Sequence, residues 1–239
     1  MPRLLPLAAL IALAALTACV NAPDSSDSDK KATHSDITAD AGGAHTVNGS
    51  IHVPAGSKTG DVETVNGSIH IDDNATLTGA HTVNGGIGVG AGATLDSLST
   101  VNGGISVAER AHVAKAITAV NGSLKLGSGA DVGGALTNVN GDINLTAAHV
   151  AGGIKTVNGN IDVGADSHVE GGILVMKQNG GLFDWMPNRK PRIVIRAGAV
   201  VQGDLKFERE VQLYVSDKAT IGPVTGATPV KFSGDNPPG

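Results

Sequence analysis

Aromatic side chains are almost missing: three Phe, one Trp and one Tyr among 239 residues. A core organised around large rings is therefore excluded. A single cysteine rules out a disulfide framework within the chain and any Cys-rich zinc or iron–sulfur site. Cations are in deficit, 17 Lys and Arg against 22 Asp and Glu, so charge gives no reason to expect nucleic acid as a partner. Long apolar runs are scarce too, and the one at residues 4–16 is too short to span a bilayer as a helix. What the chain has in quantity is glycine, 34 residues, together with an apolar content of 41% that a wholly disordered chain would not carry.

Arg3 is the only charge before that apolar run, which is the layout of a secretory signal over residues 1–18. The run closes on Leu16, Thr17, Ala18 and Cys19. These four residues resemble a bacterial lipobox, and the resemblance implies that Cys19 is lipidated and heads the mature chain. Acyl chains anchor firmly, at about 0.8 kcal/mol per buried methylene. Val20, not Asp, follows the cysteine, and by the same resemblance the destination is the outer membrane of a Gram-negative bacterium. Residues 19–44 are rich in Asp, Ser, Ala and Gly and read as an acidic tether with too little apolar surface to order itself.

The body is one repeat. Asn-Gly follows Val at Asn48, Asn66, Asn84, Asn102, Asn121, Asn140 and Asn158, at intervals of 18 or 19 residues. Each unit carries two apolar residues around one outward position, as in Ile51/Val53, Ile69/Ile71, Ile87/Val89 and Ile105/Val107. Such alternation is a short strand with one dry face. With three short strands and three corners, a unit is one coil of a parallel β-solenoid, and the fold class is an all-β single parallel solenoid of about nine coils over residues 45–225. Inward columns of Val, Ile, Leu and Ala make a narrow core, while Thr, Ser, Asn and Gly line outward columns. The Asn column forms a ladder of side-chain amides, and the following Gly supplies the positive φ of a sharp corner. The alternative is a set of hairpins, since Asn-Gly is also the leading hairpin turn. As for hand, apolar positions six apart also occur in left-handed hexapeptide helices, whereas nineteen-residue coils and the bias of parallel crossovers favour a right-handed coil.

The repeated Val-Asn-Gly-Ser/Gly-Ile, clearest at Val65, Asn66, Gly67, Ser68 and Ile69, resembles an adhesin-type β-solenoid family, a domain of unknown function in exported bacterial proteins. Bactofilin-like polymer-forming proteins share the coil size. The resemblance implies a solenoid and supplies no catalytic residues.

All five aromatics fall between Phe183 and Phe232. Terminal repeats are atypical because the last coil must be shielded, so Phe207, Tyr214 and Phe232 read as an aromatic C-terminal cap, and residues 226–239 as a tail. Residues 183–192 interrupt a coil and form an inserted loop. There Trp185 stands beside Arg189, Lys190 and Arg192, a set suited either to a capping flap or to stacking on a sugar ring and engaging an anion.

Stacked histidines are candidate metal ligands. His52 and His70 share one column, and His45, Glu63 and His81 another, but the sequence aims no carboxylate at either pair, and the expectation is polar filler with no metal and no cofactor. Acids such as Asp142 and Asp162 occupy different columns, so no paired-carboxylate cleft of a glycan-active β-helix enzyme is read. The functional expectation is a non-enzymatic envelope lipoprotein acting as a scaffold or adhesin-like surface. Its partners are the membrane, through the lipid, and envelope glycan or another envelope protein. Polymer-forming rods are the alternative, and a glycan-active enzyme ranks below both.

Overall fold

The structure is a computed structural model and describes residues 37–177 and 190–238. Cys19, Trp185 and Arg189 lie outside the described residues. Every element within them is a β-strand, and every strand-to-strand ladder is parallel, as in Ile51↔Ile69, Ile69↔Ile87 and Ile105↔Leu124. The hairpin alternative is thereby excluded, and the chain is a β-solenoid.

One sheet stacks eleven strands, from Ile37–Thr38 through Ile51–Val53, Ile69–Ile71, Ile87–Val89 and their successors to Val230–Phe232. Eleven levels enclose about ten turns, or roughly 48 Å at the strand spacing. That is one turn more than the repeat predicts. Ile37–Thr38 pairs with Ile51 and His52, and Val230–Phe232 pairs with Tyr214–Ser216, so the stack extends on both sides of residues 45–225, where no Val-Asn-Gly announces it.

The second sheet, of sixteen strands, wraps the other two sides. In early levels a single strand, Lys58–Asn66, Thr76–Asn84 or Thr94–Asn102, runs round the corner. From the next level the corner opens: Thr94–Asn102 pairs with both His112–Val113 and Ile117–Asn121. The cause is one added residue. Asp96 and Ser97 separate Leu95 from Leu98, whereas Ala114, Lys115 and Ala116 separate Val113 from Ile117. The nineteen-residue interval arises there, at a corner, while the inward columns keep their register.

The core is a set of straight columns. Ile51, Ile69, Ile87, Ile105, Leu124, Ile143, Ile161 and Ile193 are all buried on one face, and Ala75, Ala93, Ala111, Ala130 and Ala148 fill one corner. Each fully buried aliphatic contributes about 1.5–3 kcal/mol. Phe207 extends this core above Val175 and Phe232 is buried on the last strand. Tyr214 instead faces outward beneath Arg192. The described aromatics are thus divided between core and outer surface.

The Asn column forms the expected ladder. Asn66 donates its side-chain Nδ2 to Asn48 Oδ1 at 3.0 Å, Asn84 to Asn66 and Asn102 to Asn84 at 2.9 Å, Asn121 to Asn102 and Asn140 to Asn121 at 2.9 Å, and Asn158 to Asn140 at 3.1 Å. All the amides point the same way, so the acceptor end emerges at Asn158, and there the Arg209 guanidinium donates to Asn158 Oδ1 and to the Val157 carbonyl. A cation at the acceptor end of aligned dipoles is favourable for the same reason that it is at a helix C-terminus.

Two details of the corner go beyond the sequence reading. The motif Thr points inward: Thr64, Thr82 and Thr100 are buried and donate to the carbonyls of Gly49, Gly67 and Gly85 one level below, at 2.9–3.0 Å. Asn138 takes the same place and donates to the carbonyls of Gly122 and Gly141. The corner Gly is needed for space as well as for conformation. A Cβ on Gly67 or Gly85 would lie 1.9 Å from the carbonyl oxygen of the glycine below, and the expected positive φ is present at Gly49, Gly103, Gly122 and Gly141, +145°, +159°, +156° and +132°.

Candidate functional site

Lys190 and Arg192 are the two members of the expected binding loop among the described residues. They enter the eleven-stranded sheet at Arg192–Ile195, which lies between Ile161–Val163 and Gln212–Ser216. Lys190 forms an exposed ion pair with Glu210 at 2.9 Å, an arrangement worth little in water. Arg192 is held on several sides. Its backbone N–H donates to Asn160 Oδ1 at 2.9 Å, its guanidinium carbon sits 4.9 Å from the centre of the Tyr214 ring, and one terminal N–H donates to the Pro238 carbonyl at 3.0 Å. Its Nε is buried and has no hydrogen-bond partner.

Beside it, Arg196 grips Asp162 with two nitrogens, at 2.7 and 2.6 Å. This fork raises the Arg196 pKa and fixes the plane of the guanidinium. The third nitrogen donates to the Asp235 carbonyl at 2.8 Å. The two arginines therefore strap the chain end, residues 235–238, across the outer face of the sheet. Under and beside the strap is a pocket of about 320 Å³ lined by Asn144, Asn160, Asp162, Arg192, Val194 and Arg196, with Ile161, Asn236 and Pro237 completing it.

Sequence reasoning named Arg192 but did not join Arg196 to Asp162. The registers that place them together, Asp162↔Val194 and Val163↔Ile195, are hidden by the segment between the two levels. Aligning Ile193-x-Ile195 on Ile161-x-Val163 is the signal that finds the pair.

The histidines are not bare filler. Asp72, just past a strand end, serves both members of the first pair: it hydrogen-bonds His52 Nε2 at 2.8 Å and lies 3.1 Å from His70 Nε2, with the two rings stacked 5.9 Å apart. The His52 hydrogen bond holds the Asp72 carboxyl below its usual range. In the second group His45 lies 3.5 Å from Glu63, and His81 lies 3.4 Å from Asp61. Burial pushes the Glu63 carboxyl up, reinforced by its hydrogen bond with Asp61. Carboxylates are therefore aimed at both pairs: Glu63 from within its own column, Asp61 from a neighbouring position and Asp72 from just past a strand end.

A third group was missed altogether. Thr94, His112, Asp131, His149 and His168 occupy one outward column in consecutive levels. Asp131 bridges His112 and His149, and His149 Nε2 reaches Glu170 at 3.2 Å. The His149 hydrogen bond holds Asp131 below its usual range, and reciprocally Asp131 raises His149. The signal was the second half of each unit, Ala111-His112-Val113, Ala130-Asp131-Val132 and Ala148-His149-Val150. Among the described residues no trio of His, Cys, Asp or Glu is placed to hold a metal ion.

The chain matches no protein-family model, no curated protein and no solved structure.

Proposed function

We propose that this protein is a non-enzymatic, lipid-anchored rod of the bacterial cell envelope, acting as a scaffold or adhesin-like interaction surface and related to the solenoid family its Val-Asn-Gly repeats resemble. The observation that carries the reading is the stack itself. About ten turns in register present chemically repeated outer faces along roughly 48 Å, a shape suited to lying against an extended partner such as glycan or another envelope protein. The polar groups on those faces are largely engaged with one another, as in the Asn ladder and the His–Asp column, which supports a structural role for them. Cys19 behind an h-region supplies the anchor, and Val20 favours the outer membrane.

The test is fractionation of a two-membraned bacterium expressing the full chain. The wild-type protein partitions with the outer membrane, and Cys19→Ser releases it to the soluble periplasmic fraction; an unchanged partition overturns the anchor. Purified full chain incubated with cell-envelope glycan co-sediments and releases no soluble sugar. Release of fragments would make it an enzyme, and filaments seen by electron microscopy would favour a polymer-forming rod.

A further inference from the structure

The pocket under the C-terminal strap carries more recognition chemistry than the fold requires. The outward position of this face holds His70, Gly88, Ser106, Lys125 and Asn144 in earlier levels and Val194 here, where Arg192 and Arg196 flank it on either side. Here two arginines and one carboxylate, Asp162, share a concavity, and Asp235 on the strap also acts on Arg196, so among the described residues Arg192 is the guanidinium of the two that has no carboxylate in an ion pair with it. Arg196 spends its fork on Asp162. Arg192 does not: it has the Tyr214 face and one backbone carbonyl, and its buried Nε–H has no acceptor. A buried donor on a charged group left unpaired is costly, and since Nε itself is closed to solvent, an anionic acceptor entering the pocket meets the terminal nitrogens of the same guanidinium. The Pro238 carbonyl is a neutral acceptor at a place where a carboxylate would be the stronger partner.

The rest of the lining narrows the ligand. Asn144, Asn160 and Asn236 contribute amides that donate to and accept from hydroxyls, and the Asn160 oxygen is already committed to the Arg192 backbone, which leaves its N–H groups as donors. Val194 and Pro237 add an apolar wall for the C–H face of a ring. A volume of about 320 Å³ is at the lower end for ligand sites, roughly 300–1,000 Å³, which suits one sugar ring rather than a chain. We infer that this pocket binds a carboxylated sugar residue, its carboxylate on Arg192, its hydroxyls on the Asn amides and its ring against Val194 and Pro237. The inference deepens the proposed contact with envelope glycan by naming the sugar class. It rests on the pocket and makes no use of the anchor.

The test uses the folded full chain and three probes in calorimetric or ligand-observed NMR titrations: glucuronate, neutral glucose and inorganic phosphate. Glucuronate binds, and glucose binds at least about tenfold more weakly because it lacks the charged acceptor. Phosphate at equal concentration neither binds as well nor displaces glucuronate. Arg192→Gln keeps the length but not the charge and weakens glucuronate about tenfold or more. Asn144→Ala, at an outward position that leaves the core untouched, weakens it severalfold with the fold intact by circular dichroism, and serves as the reading should Arg192→Gln unfold. The inference is overturned if glucuronate does not bind the folded wild type, if glucose or phosphate binds as tightly, or if neither folded variant alters affinity. None of these results moves the membrane partition of the Cys19→Ser variant, so failure of the sugar assignment and failure of the anchor are distinguishable.

Discussion

Asn102 stands in mid-ladder, and replacing it tests whether the amide column holds the rod together. It donates to Asn84 Oδ1 and accepts from Asn121 Nδ2, both at 2.9 Å. Asn102→Ala deletes both bonds. A neutral hydrogen bond contributes a net of about 0.5–1.5 kcal/mol, and at exposed positions water re-satisfies the orphaned amides, so the expected loss is about 1–2 kcal/mol. For a chain of this size that lowers the melting temperature by roughly 2–8 °C. Asn48 makes one ladder bond, as acceptor from Asn66, so Asn48→Ala costs about half as much. Asn102→Asp is the sharper probe: it keeps an acceptor for Asn121 but sets a carboxylate oxygen against Asn84 Oδ1, so it destabilises more than Ala does. Urea unfolding of the three variants gives the order Asp, then Ala at Asn102, then Ala at Asn48. The reasoning is refuted if Asn102→Ala is no worse than Asn48→Ala, or if Asp is tolerated as well as Ala.

Gly85→Ala forces a methyl group to within 1.9 Å of the Gly67 carbonyl oxygen, and since backbone must move, the loss in urea unfolding is about 3 kcal/mol; a neutral result would show that the levels separate freely. Ile105→Ala, at a core position 2% exposed, costs about 2–5 kcal/mol by the same measurement, and a smaller loss would mean the narrow core collapses onto the gap. For the Asp131–His149 pair the two signs differ. Asp131 is depressed in the folded state, so its contribution is present above the ordinary Asp pKa of 3.8 and is lost as pH falls through the lower folded value. His149 is raised, so its contribution is full below the ordinary 6.5 and is lost as pH rises through the higher folded value. Both act together between those two ordinary values, and His149→Gln therefore destabilises the chain more at about pH 5 than at about pH 8; an equal loss at both pH values refutes the pairing. His112 and Glu170, which hydrogen-bond the same two groups, and the ring of His168, 5.7 Å from that of His149, are unchanged by the substitution.

The fold was legible because its core is one-dimensional. A dry column admits only aliphatics of one size, so Ile69, Ile87 and Ile105 recur with a period that no helix and no hairpin shares. The ladder was legible for the same reason, since each Asn must stand over the last. The reading stopped where the repeated signal did. Ile37–Thr38 and Val230–Phe232 carry no Asn-Gly. The inward turn of Thr64, Thr82 and Thr100 was hidden because a hydroxyl reads as solvent-facing, and its acceptor is a carbonyl of another level. The corner glycine's positive φ was legible, but its second role, leaving room for the carbonyl of the glycine one level below, was not, because that contact lies a whole coil away in sequence. The strap pocket was the least legible part. Arg196 and Asp162 lie 34 residues apart, and Arg192 meets Pro238 across 46.

The extra residue at Ala114, Lys115 and Ala116 shows how this architecture absorbs length. Added chain is expelled sideways at a vertex, and the levels above and below close over it without a shift in registration. Registration is likewise kept between the levels of Ile161–Val163 and Arg192–Ile195, where Ile161 lies under Ile193. Such a rod grows by copying a whole turn and diversifies by lengthening a vertex, so its stiffness and whatever it displays can evolve separately.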